Sequence, residues 1–361
     1  MSDLIPYYLF FAFMFILYSD MKVSASKELL QKNIRVRYLY WLMGGLWLLI
    51  GMRDVLYGRD TLGSVMSFKK AIVLNWRDSV EPGFHLLEYL TRSITDNYHV
   101  FLMIASFSSI IAMYKIMKRY FTDSYEIIAA ICIYVLLGIL AFNMAAMRQT
   151  IAVSIGIFAF MFAADGKWKC FLGCVALAYT FHNSSFVLLA LYPLRYLDAK
   201  SYGIIGVAAV FILGVVAPAS VTPFLQAHLP VENRFAAYGT AYESSQNYTG
   251  FFLQLILVLI AYMRRDHIQL NQKTKNMFFN TAYIGLAIQS LTGSLAELYR
   301  VSFYFCIFDM VLIPIALMTF KGPKARTMRI GFIIFALFYI FVLSGGGVLP
   351  LKQEYNVQFQ V

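Results

Sequence analysis

Charged residues and cysteines are both scarce in this sequence, and each scarcity excludes a class of protein. Asp, Glu, Lys and Arg make up 14% of the 361 residues, whereas 60% are hydrophobic. A soluble globular domain has about 45–50% apolar residues, so a soluble fold is excluded. The cysteines all lie in apolar runs, where a free thiol acts as a small hydrophobic side chain: Cys132, Cys170, Cys174 and Cys306. They predict neither a disulfide framework nor a metal site.

Several motifs that carry chemistry are also absent from the sequence. It contains no Walker loop, no dinucleotide-binding glycine fingerprint, no paired CxxC and no HExxH. It also lacks an Asp-x-Asp pair of the kind that holds a nucleotide sugar through a metal ion. An activated sugar would therefore have to arrive by another route. A lipid-linked diphosphate on the outer face of a membrane is one such route.

The chain does contain repeated long apolar runs, and these predict an all-α, polytopic membrane protein. Its mean hydropathy is +0.66, and one spanning helix needs about 20 mostly apolar residues. In the run 170–198 we interpret His182 to Ser185 as a tight reversal, with one long tilted helix as the alternative. We expect a single membrane domain over residues 1–361. Twelve helices are predicted, at 4–20, 38–52, 97–117, 125–144, 149–164, 170–182, 184–198, 203–218, 251–264, 277–292, 300–320 and 330–344.

The distribution of basic residues predicts the orientation of these helices. Because short cytoplasmic loops are enriched in Lys and Arg, the more basic set of loops is predicted to face the cytoplasm, with both termini outside. The first apolar run has no basic segment before it, so we interpret it as a retained helix and not as a signal peptide. The net charge of +11 then reflects topology and contact with anionic membrane lipids, without a nucleic-acid partner. The basic loops lie at 22–37, 115–119, 167–169, 195–200, 264–275 and 321–329, and together carry 20 of the 30 Lys and Arg residues.

Ionisable residues interrupt three of the apolar runs, at Arg148, His182 and Arg300. A charge in hydrocarbon costs several kcal/mol, so such residues usually face a protein-lined cavity and carry function. In the predicted topology they share the outer side with other ionisable residues, and this convergence predicts one outward-facing site. The alternative is a set of separate interfacial anchors. The full outer set is Arg53, Asp60, Glu81, Arg148, His182, Arg234, Glu297 and Arg300.

The first of two long outer segments, 53–97, predicts a loop, a short helix and then an amphipathic helix that opens at Glu81-Pro82. Its polar residues fall on one stripe and its apolar residues on the other, which predicts a helix lying in the membrane interface. We interpret His85, Glu88 and Arg92 as a solvated face. The apolar stripe consists of Phe84, Leu87, Leu90 and Ile94.

The second long outer segment, 218–250, carries Arg234, Tyr238 and Tyr242 at spacings of four residues. A cation flanked by aromatic rings on one helix face suits an anionic or sugar ligand, because Arg pairs with phosphate and rings stack on sugars. An ordinary interfacial belt of Tyr and Arg is the alternative.

Five short motifs follow one another along nearly the whole chain. They are Arg53 to Asp60, Glu81-Pro82-Gly83-Phe84, Met147-Arg148-Gln149 with Ile151-Ala152, Phe181-His182-Asn183-Ser184-Ser185 and Glu297-Leu298-Tyr299-Arg300. In this order they resemble the EpsG family of Wzy-type polysaccharide polymerases.

The resemblance implies polymerisation of exopolysaccharide, capsule or O-antigen repeat units carried on undecaprenyl diphosphate, without a metal or another cofactor. It also implies the bacterial cytoplasmic (inner) membrane, an architecture related to the GT-C glycosyltransferases, and a flippase and a chain-length regulator as partners.

Within that resemblance, chemical roles can be assigned. Arg148 and Arg300 are expected to bind the departing diphosphate, with Arg53 and Arg234 as second-rank candidates, because a guanidinium binds two phosphate oxygens at once. The acceptor hydroxyl needs a base, for which the candidates are His182, Glu81 and Asp60. Other polar residues are expected to orient Arg300 or to hold sugars: Glu297 for the first role, and Gln149, Asn183 and Tyr238 for the second.

Two functions of other classes remain open at this point. A lipid-linked oligosaccharide flippase or transporter would also place charges at helix ends, but it should have internal repeats, and none is visible. A membrane O-acyltransferase with His182 as its base would need a donor site opening inward, whereas the candidate residues lie outward.

Overall fold

The computed structural model describes residues 2–23, 28–58, 60–73, 81–216, 248–292, 298–344 and 348–349. Within these ranges the chain is α-helical and contains no strand, so the predicted all-α class is confirmed. The described residues form two compact units, Met1–Leu189 with Phe320–Val361, and Ala190–Thr319. The single membrane domain expected from the sequence stays a prediction.

The first unit contains ten of the described α-helices. They are α1 (Ile5–Val23), α2 (Glu28–Gly51), α3 (Thr61–Lys70), α4 (Pro82–Ile94), α5 (Tyr98–Tyr120), α6 (Ser124–Leu136), α7 (Ile139–Ala145), α8 (Met147–Ala164), α9 (Trp168–Phe181) and, after the second unit, α15 (Lys324–Phe338). The short helix and the Pro-initiated helix expected in the first outer segment are thus both present, as α3 and α4.

The second unit contains five described α-helices. They are α10 (Ser201–Val216), α11 (Thr249–Met263), α12 (Gln272–Ser290), α13 (Leu298–Cys306) and α14 (Asp309–Met318). Buried polar contacts join them: the Gln254 side-chain amide of α11 donates to the Asp309 carboxylate of α14 at 2.5 Å. The Arg264 guanidinium, just after α11, donates to the Thr319 carbonyl at 2.8 Å and so caps the end of α14.

Among the described residues, three helices are long and apolar enough to cross a membrane: Tyr98–Tyr120, Met147–Ala164 and Lys324–Leu343. Two helix pairs pass the same test as bent spans, α6 with α7 at 63° and α13 with α14 at 44°, which gives up to five. The chain is therefore a membrane protein by length and composition of its helices, whereas twelve spans and a GT-C-related architecture stay predictions.

The bent pairs correct two boundaries expected from hydropathy. The runs 125–144 and 300–320 were each predicted as one helix, but they break at Leu137–Gly138 and Ile307–Phe308. Hydropathy measures only the preference for hydrocarbon, and both breaks occur among apolar residues that do not change it. A break matters because it exposes backbone groups that need other partners.

The α-helix predicted for 184–198 is also wrong. After α9 the backbone of His182 is extended, and residues Asn183–Leu191 form a 3₁₀ helix followed by the turn Pro193–Arg195. In a 3₁₀ helix, side chains three residues apart lie on one face. Ser185, Leu188 and Leu191 are all fully buried, and this spacing matches that period.

Helices α8 and α9 form an antiparallel hairpin that defines the two ends of the first unit. The turn between them contains Asp165, whose carboxylate accepts two hydrogen bonds from Arg119 at the end of α5, at 2.5 and 3.2 Å. The 18 residues of α8 span about 27 Å at 1.5 Å per residue. Arg148, at the start of α8, and His182, after α9, therefore lie at the opposite end from this basic turn.

Helix α4 buries Phe84, Glu88 and Thr91, so Glu88 is packed against the protein and does not belong to the solvated face expected for it. Glu88 is 2% exposed, whereas Leu90 and Ile94 are 52% and 83% exposed. Half of the apolar stripe faces inward too, because Phe84 belongs to a buried apolar cluster and Leu87 packs against it. The cluster consists of Val65, Phe68, Phe84, Phe101, Leu102, Ala105, Met147 and Ile151.

Candidate active site

Three of the residues singled out from the sequence meet in the first unit. Glu81 bridges the other two: its Oε2 accepts a hydrogen bond from Arg148 Nη1 at 2.7 Å, and its Oε1 lies 2.5 Å from His182 Nδ1. One carboxylate thus holds a guanidinium on one oxygen and an imidazole on the other. We call Glu81, Arg148 and His182 the bridged triad.

The hairpin and the start of α4 bring the bridged triad together. Arg148 is the second residue of α8 and His182 directly follows α9, so the antiparallel packing puts both at one end. Glu81 is the residue before α4, where Pro82 begins the helix. A Cβ at Gly83 would lie 2.4 Å from Thr180 Oγ1 and 3.0 Å from the Thr180 carbonyl oxygen. Only glycine therefore allows α4 to approach the end of α9 so closely.

Exposure differs among the three side chains in a way that suggests different tasks. The Glu81 side chain is 9% exposed, that of His182 27% and that of Arg148 56%. Burial raises the pKa of the Glu81 carboxyl, but the hydrogen bond and charge of His182 and the charge of Arg148 lower it more. The net pKa lies below the ordinary value of 4.5, so Glu81 is ionised at neutral pH.

The contact with Glu81 determines which imidazole nitrogen of His182 can accept a proton. An ionised carboxylate only accepts hydrogen bonds, so Nδ1 carries a proton in this contact. In the neutral imidazole, Nε2 is then the nitrogen with a free lone pair. Nε2 has no hydrogen-bond partner within the described part of the chain. The arrangement leaves a basic nitrogen available, next to a fixed cation.

A second carboxylate lies on the same face of α4, two turns after Glu81. Glu88 Oε2 is 3.5 Å from His85 Nδ1, and Ser67 of α3 also hydrogen-bonds this side chain. Burial raises the pKa of the Glu88 carboxyl, although the hydrogen bonds from Ser67 and His85 lower it in part. The sequence reasoning assigned Glu88 to a solvated surface and missed this buried contact.

Arg53 is buried, although it was a candidate for binding the diphosphate. It is 5% exposed, and its two terminal nitrogens donate to the carbonyl oxygens of Ile50 at 2.5 Å and of Met144 at 2.8 Å. Each carbonyl belongs to the last turn of a helix, α2 and α7 respectively.

The remaining candidates are distributed as follows. Gln149 is 2% exposed beside Arg148 in the first turn of α8, and Asn183 is half-buried beside His182 at the start of the 3₁₀ helix. Asp60 precedes α3, where its side chain makes no capping hydrogen bond. Arg300 lies in α13 of the second unit. Three candidates, Arg234, Tyr238 and Glu297, lie outside the described residues. Among the residues that are described, no group of three or more His, Cys, Asp or Glu side chains could hold a metal ion.

Comparison with known protein families identifies the family of this chain. The sequence matches the EpsG family over residues 36–353, which is most of the chain and includes every residue of the bridged triad. No curated protein and no solved structure matches it.

Proposed function

We propose a reaction for this chain from the premise that it belongs to the EpsG family, a family of Wzy-type polysaccharide polymerase-like proteins. The reaction is the joining of oligosaccharide repeat units by glycosyl transfer. The donor is a repeat unit linked to undecaprenyl diphosphate, and the acceptor is a sugar hydroxyl of a second lipid-linked glycan. The observation that carries this proposal is the bridged triad, in which a phosphate-binding cation and a proton acceptor share one carboxylate.

In the proposed reaction, the acceptor oxygen forms a bond to the anomeric carbon of the donor while the bond from that carbon to the diphosphate oxygen breaks. The electron pair of the broken bond leaves with the diphosphate, and the hydroxyl proton goes to a base. Two groups are therefore required near each other: one for the proton and one for the growing negative charge.

His182 is the base in this proposal. Its Nε2 takes the acceptor proton, while Glu81 fixes the ring and stabilises the imidazolium that forms. Glu81 itself is less suited to the task, because both of its oxygens already accept hydrogen bonds. The third candidate base, Asp60, precedes α3 and is not one of the two residues that Glu81 joins.

Arg148 binds the departing diphosphate in this proposal. Its side chain is the most exposed of the three, and one terminal nitrogen remains for phosphate while the other is held by Glu81. Charge supports the assignment. With His182 neutral, Glu81 and Arg148 cancel each other. When His182 takes the proton, the bridged triad gains one positive charge at the moment when the diphosphate gains its negative charge.

Further assignments rest on the sequence and on proximity. Asn183, half-buried and adjacent to His182, is proposed to hold a sugar hydroxyl. Gln149, the other candidate for this role, is 2% exposed and is less suited to it. Arg300 and Arg234 are proposed as further phosphate ligands, Glu297 as the residue that orients Arg300, and Tyr238 as a stacking surface. The chain is proposed to lie in the bacterial cytoplasmic membrane with both termini and the bridged triad outside, alongside a flippase and a chain-length regulator.

The test is reconstitution of the purified protein in liposomes with a synthetic repeat unit on undecaprenyl diphosphate. We expect a ladder of products differing by one repeat unit on a gel, together with release of undecaprenyl diphosphate. Transport of the lipid-linked unit across the bilayer without any ladder would instead identify a flippase and refute the proposal. Transfer of an acyl group without a ladder would do the same in favour of an acyltransferase.

A further inference from the structure

The junction between α7 and α8 is held by a side chain from a distant part of the chain. Arg53 Nη2 donates to the Met144 carbonyl oxygen at 2.8 Å, across 91 residues of sequence. The Thr61 hydroxyl lies 2.9 Å from the same oxygen and 2.8 Å from the Tyr57 carbonyl oxygen, so its one proton is shared between the two. Gly58 has φ = 88°, and a Cβ there would lie 2.7 Å from that oxygen. Three residues of the loop after α2 and of the start of α3 therefore converge on one backbone carbonyl.

The Met144 carbonyl lies four residues before Arg148 of the bridged triad. Met144 is in the last turn of α7, and Ala146, with φ = −98° and ψ = 64°, separates α7 from α8. Arg148 is the second residue of α8. A break in the helix leaves terminal carbonyl groups without intrahelical partners. The Met144 carbonyl receives its partner from Arg53, so the geometry of the break depends on this contact.

The charge of Arg53 is matched to this position. Its hydrogen-bond partners are the neutral oxygens of Ile50, Thr61 and Met144. Two of them are carbonyls at helix C-termini, where the helix dipole places partial negative charge. The side chain is 5% exposed and both of its terminal nitrogens already donate to protein oxygens, so it has little capacity to bind the diphosphate of a lipid-linked donor.

We infer that Arg53 is a positioning residue: by joining the end of α2 to the end of α7 it fixes the direction of α8, and thereby the approach of Arg148 to Glu81. This inference rests on the proposed function and replaces the direct phosphate contact expected for Arg53 from the sequence. Thr61 supports the same carbonyl and contributes in the same direction.

A double-mutant cycle tests the inference in the reconstituted polymerase. Arg53→Gln should lower turnover about 10²-fold, since a displacement of about 1 Å can cost this much. In an Arg148→Gln background the same change should cause no further loss, because the residue that it positions is gone. Full additivity of the two losses would overturn the inference, since it would mean that Arg53 acts independently of Arg148.

Milder and matched variants guard against simple unfolding. Thr61→Val removes the hydroxyl and should lower turnover. Thr61→Ser keeps the hydroxyl and should leave turnover unchanged. Arg264→Gln is the control, because Arg264 also caps a helix end, through the Thr319 carbonyl. Its effect should be the same with Arg148 present or absent. Equal behaviour of Thr61→Val and Thr61→Ser would count against the inference.

A readout that needs no catalysis separates this inference from the proposed function. In a background without the four native cysteines, the thiol introduced by Arg148→Cys is labelled with a water-soluble reagent. Arg53→Gln should change its labelling rate, and Arg264→Gln should not. A changed rate in a protein that makes no polymer would refute the proposed function and keep the positioning role. An unchanged rate in a protein that does polymerise would refute the positioning role.

Discussion

Replacing Glu81 by Gln is the sharpest test of the bridged triad, because it keeps the shape of the side chain and removes its charge. Glu81 accepts a hydrogen bond from Arg148 on one oxygen and from His182 on the other. A Gln side chain has one accepting oxygen and one donating amide. It can satisfy Arg148 or His182 in the native arrangement, but not both.

Either orientation of the amide impairs the proposed reaction. If the amide oxygen faces Arg148, the amide nitrogen donates to His182 Nδ1, and the imidazole proton must then reside on Nε2. The nitrogen that should accept the acceptor proton is then already protonated. If the amide is flipped, its N–H groups face the guanidinium, which donates as well, and the contact with Arg148 is lost.

The expected loss can be given a magnitude. General-base catalysis contributes about 10²–10⁴-fold, and a carboxylate-to-amide change that imposes the wrong tautomer costs about 10⁴ in a serine protease triad. We therefore expect Glu81→Gln to lower turnover by about 10²–10⁴-fold, which corresponds to about 2.7–5.4 kcal/mol of barrier. Binding of the lipid-linked donor should persist, because Arg148 remains.

The matched control is Glu88→Gln, the same change two turns later on the same face of α4. Glu88 is also buried and also pairs with a histidine, His85, and its hydrogen bonds come from Ser67 and His85, while the charge of Arg148 is the smallest of the influences on its pKa. The assay is the single-turnover rate of repeat-unit joining in liposomes, with donor binding measured separately. Equal losses in the two variants would show that any buried carboxylate of α4 matters for folding, and would remove Glu81 from the reaction.

Four other changes test the phosphate ligands, the packing of α4, the two buried carboxylates and the membrane orientation. Arg148→Lys should lower turnover about 10²–10³-fold despite the retained charge, because an ammonium lacks the planar fork that lets Arg148 hold Glu81 with one terminal nitrogen and phosphate with the other. Arg300→Lys should independently cause a similar loss, because Lys cannot bind phosphate bidentately. Near-normal polymer yield would exclude either residue as a diphosphate ligand. Gly83→Ala should impair activity, since its Cβ would meet Thr180 at 2.4 Å, whereas Gly173→Ala, with no atom within 4 Å, should not; the same polymer assay compares them. Because the folded-state pKa of Glu81 is lowered, its contribution to stability is present above about pH 4.5 and is lost as the pH falls through the folded-state pKa. The pKa of Glu88 is raised, so its contribution is present below about pH 4.5 and is lost as the pH rises through the folded-state pKa. Thermal unfolding of Glu81→Gln and Glu88→Gln, measured against pH, should therefore show opposite changes. Cysteines introduced at Lys32 or Gln272 should resist a membrane-impermeant thiol reagent in intact cells, and labelling there would reverse the predicted orientation.

Part of the site was predictable because it depends on local spacing. The turn at Asp165 lies 17 residues after Arg148 and 17 residues before His182. Two helices of nearly equal length that reverse at this turn must bring their far ends together. If both runs are helical, the sequence alone therefore predicts that Arg148 and His182 lie at the same end of the hairpin.

The position of Glu81 could not be obtained in this way. It requires α4 to pack against the end of α9, across 101 residues of sequence, and the only local sign of that approach is Gly83. The burial of Glu88 was missed for a related reason. An amphipathic pattern shows that a helix has two faces, but it does not show the contact of Glu88 with Ser67 of α3.

The 3₁₀ helix after His182 was missed although its period is visible in the sequence. Ser185, Leu188 and Leu191 recur every third residue, and Pro193 lacks the N–H that an α-helix would need there. An α-helix was predicted there because the run is apolar, and hydropathy does not distinguish an α-helix from a 3₁₀ helix. This change of helix type matters for the site. His182 has an extended backbone between α9 and the 3₁₀ helix, and its ring contacts Glu81.

The bridging carboxylate also bears on how such a site could function among phospholipids. An exposed arginine at the membrane surface attracts any phosphate headgroup, and ordinary lipids greatly outnumber a lipid-linked donor. Glu81 already neutralises Arg148, so a phosphate ligand must compete with a carboxylate at 2.7 Å. A singly charged phosphodiester competes poorly, whereas a diphosphate offers more charge and more oxygens to the same guanidinium. Glu81 would thus select against bulk lipid in addition to orienting the base. The Glu81→Gln variant tests this as well: anionic phospholipid in the liposomes should weaken donor binding by the variant more than by the wild-type protein, and an equal effect on both would limit Glu81 to its role toward His182.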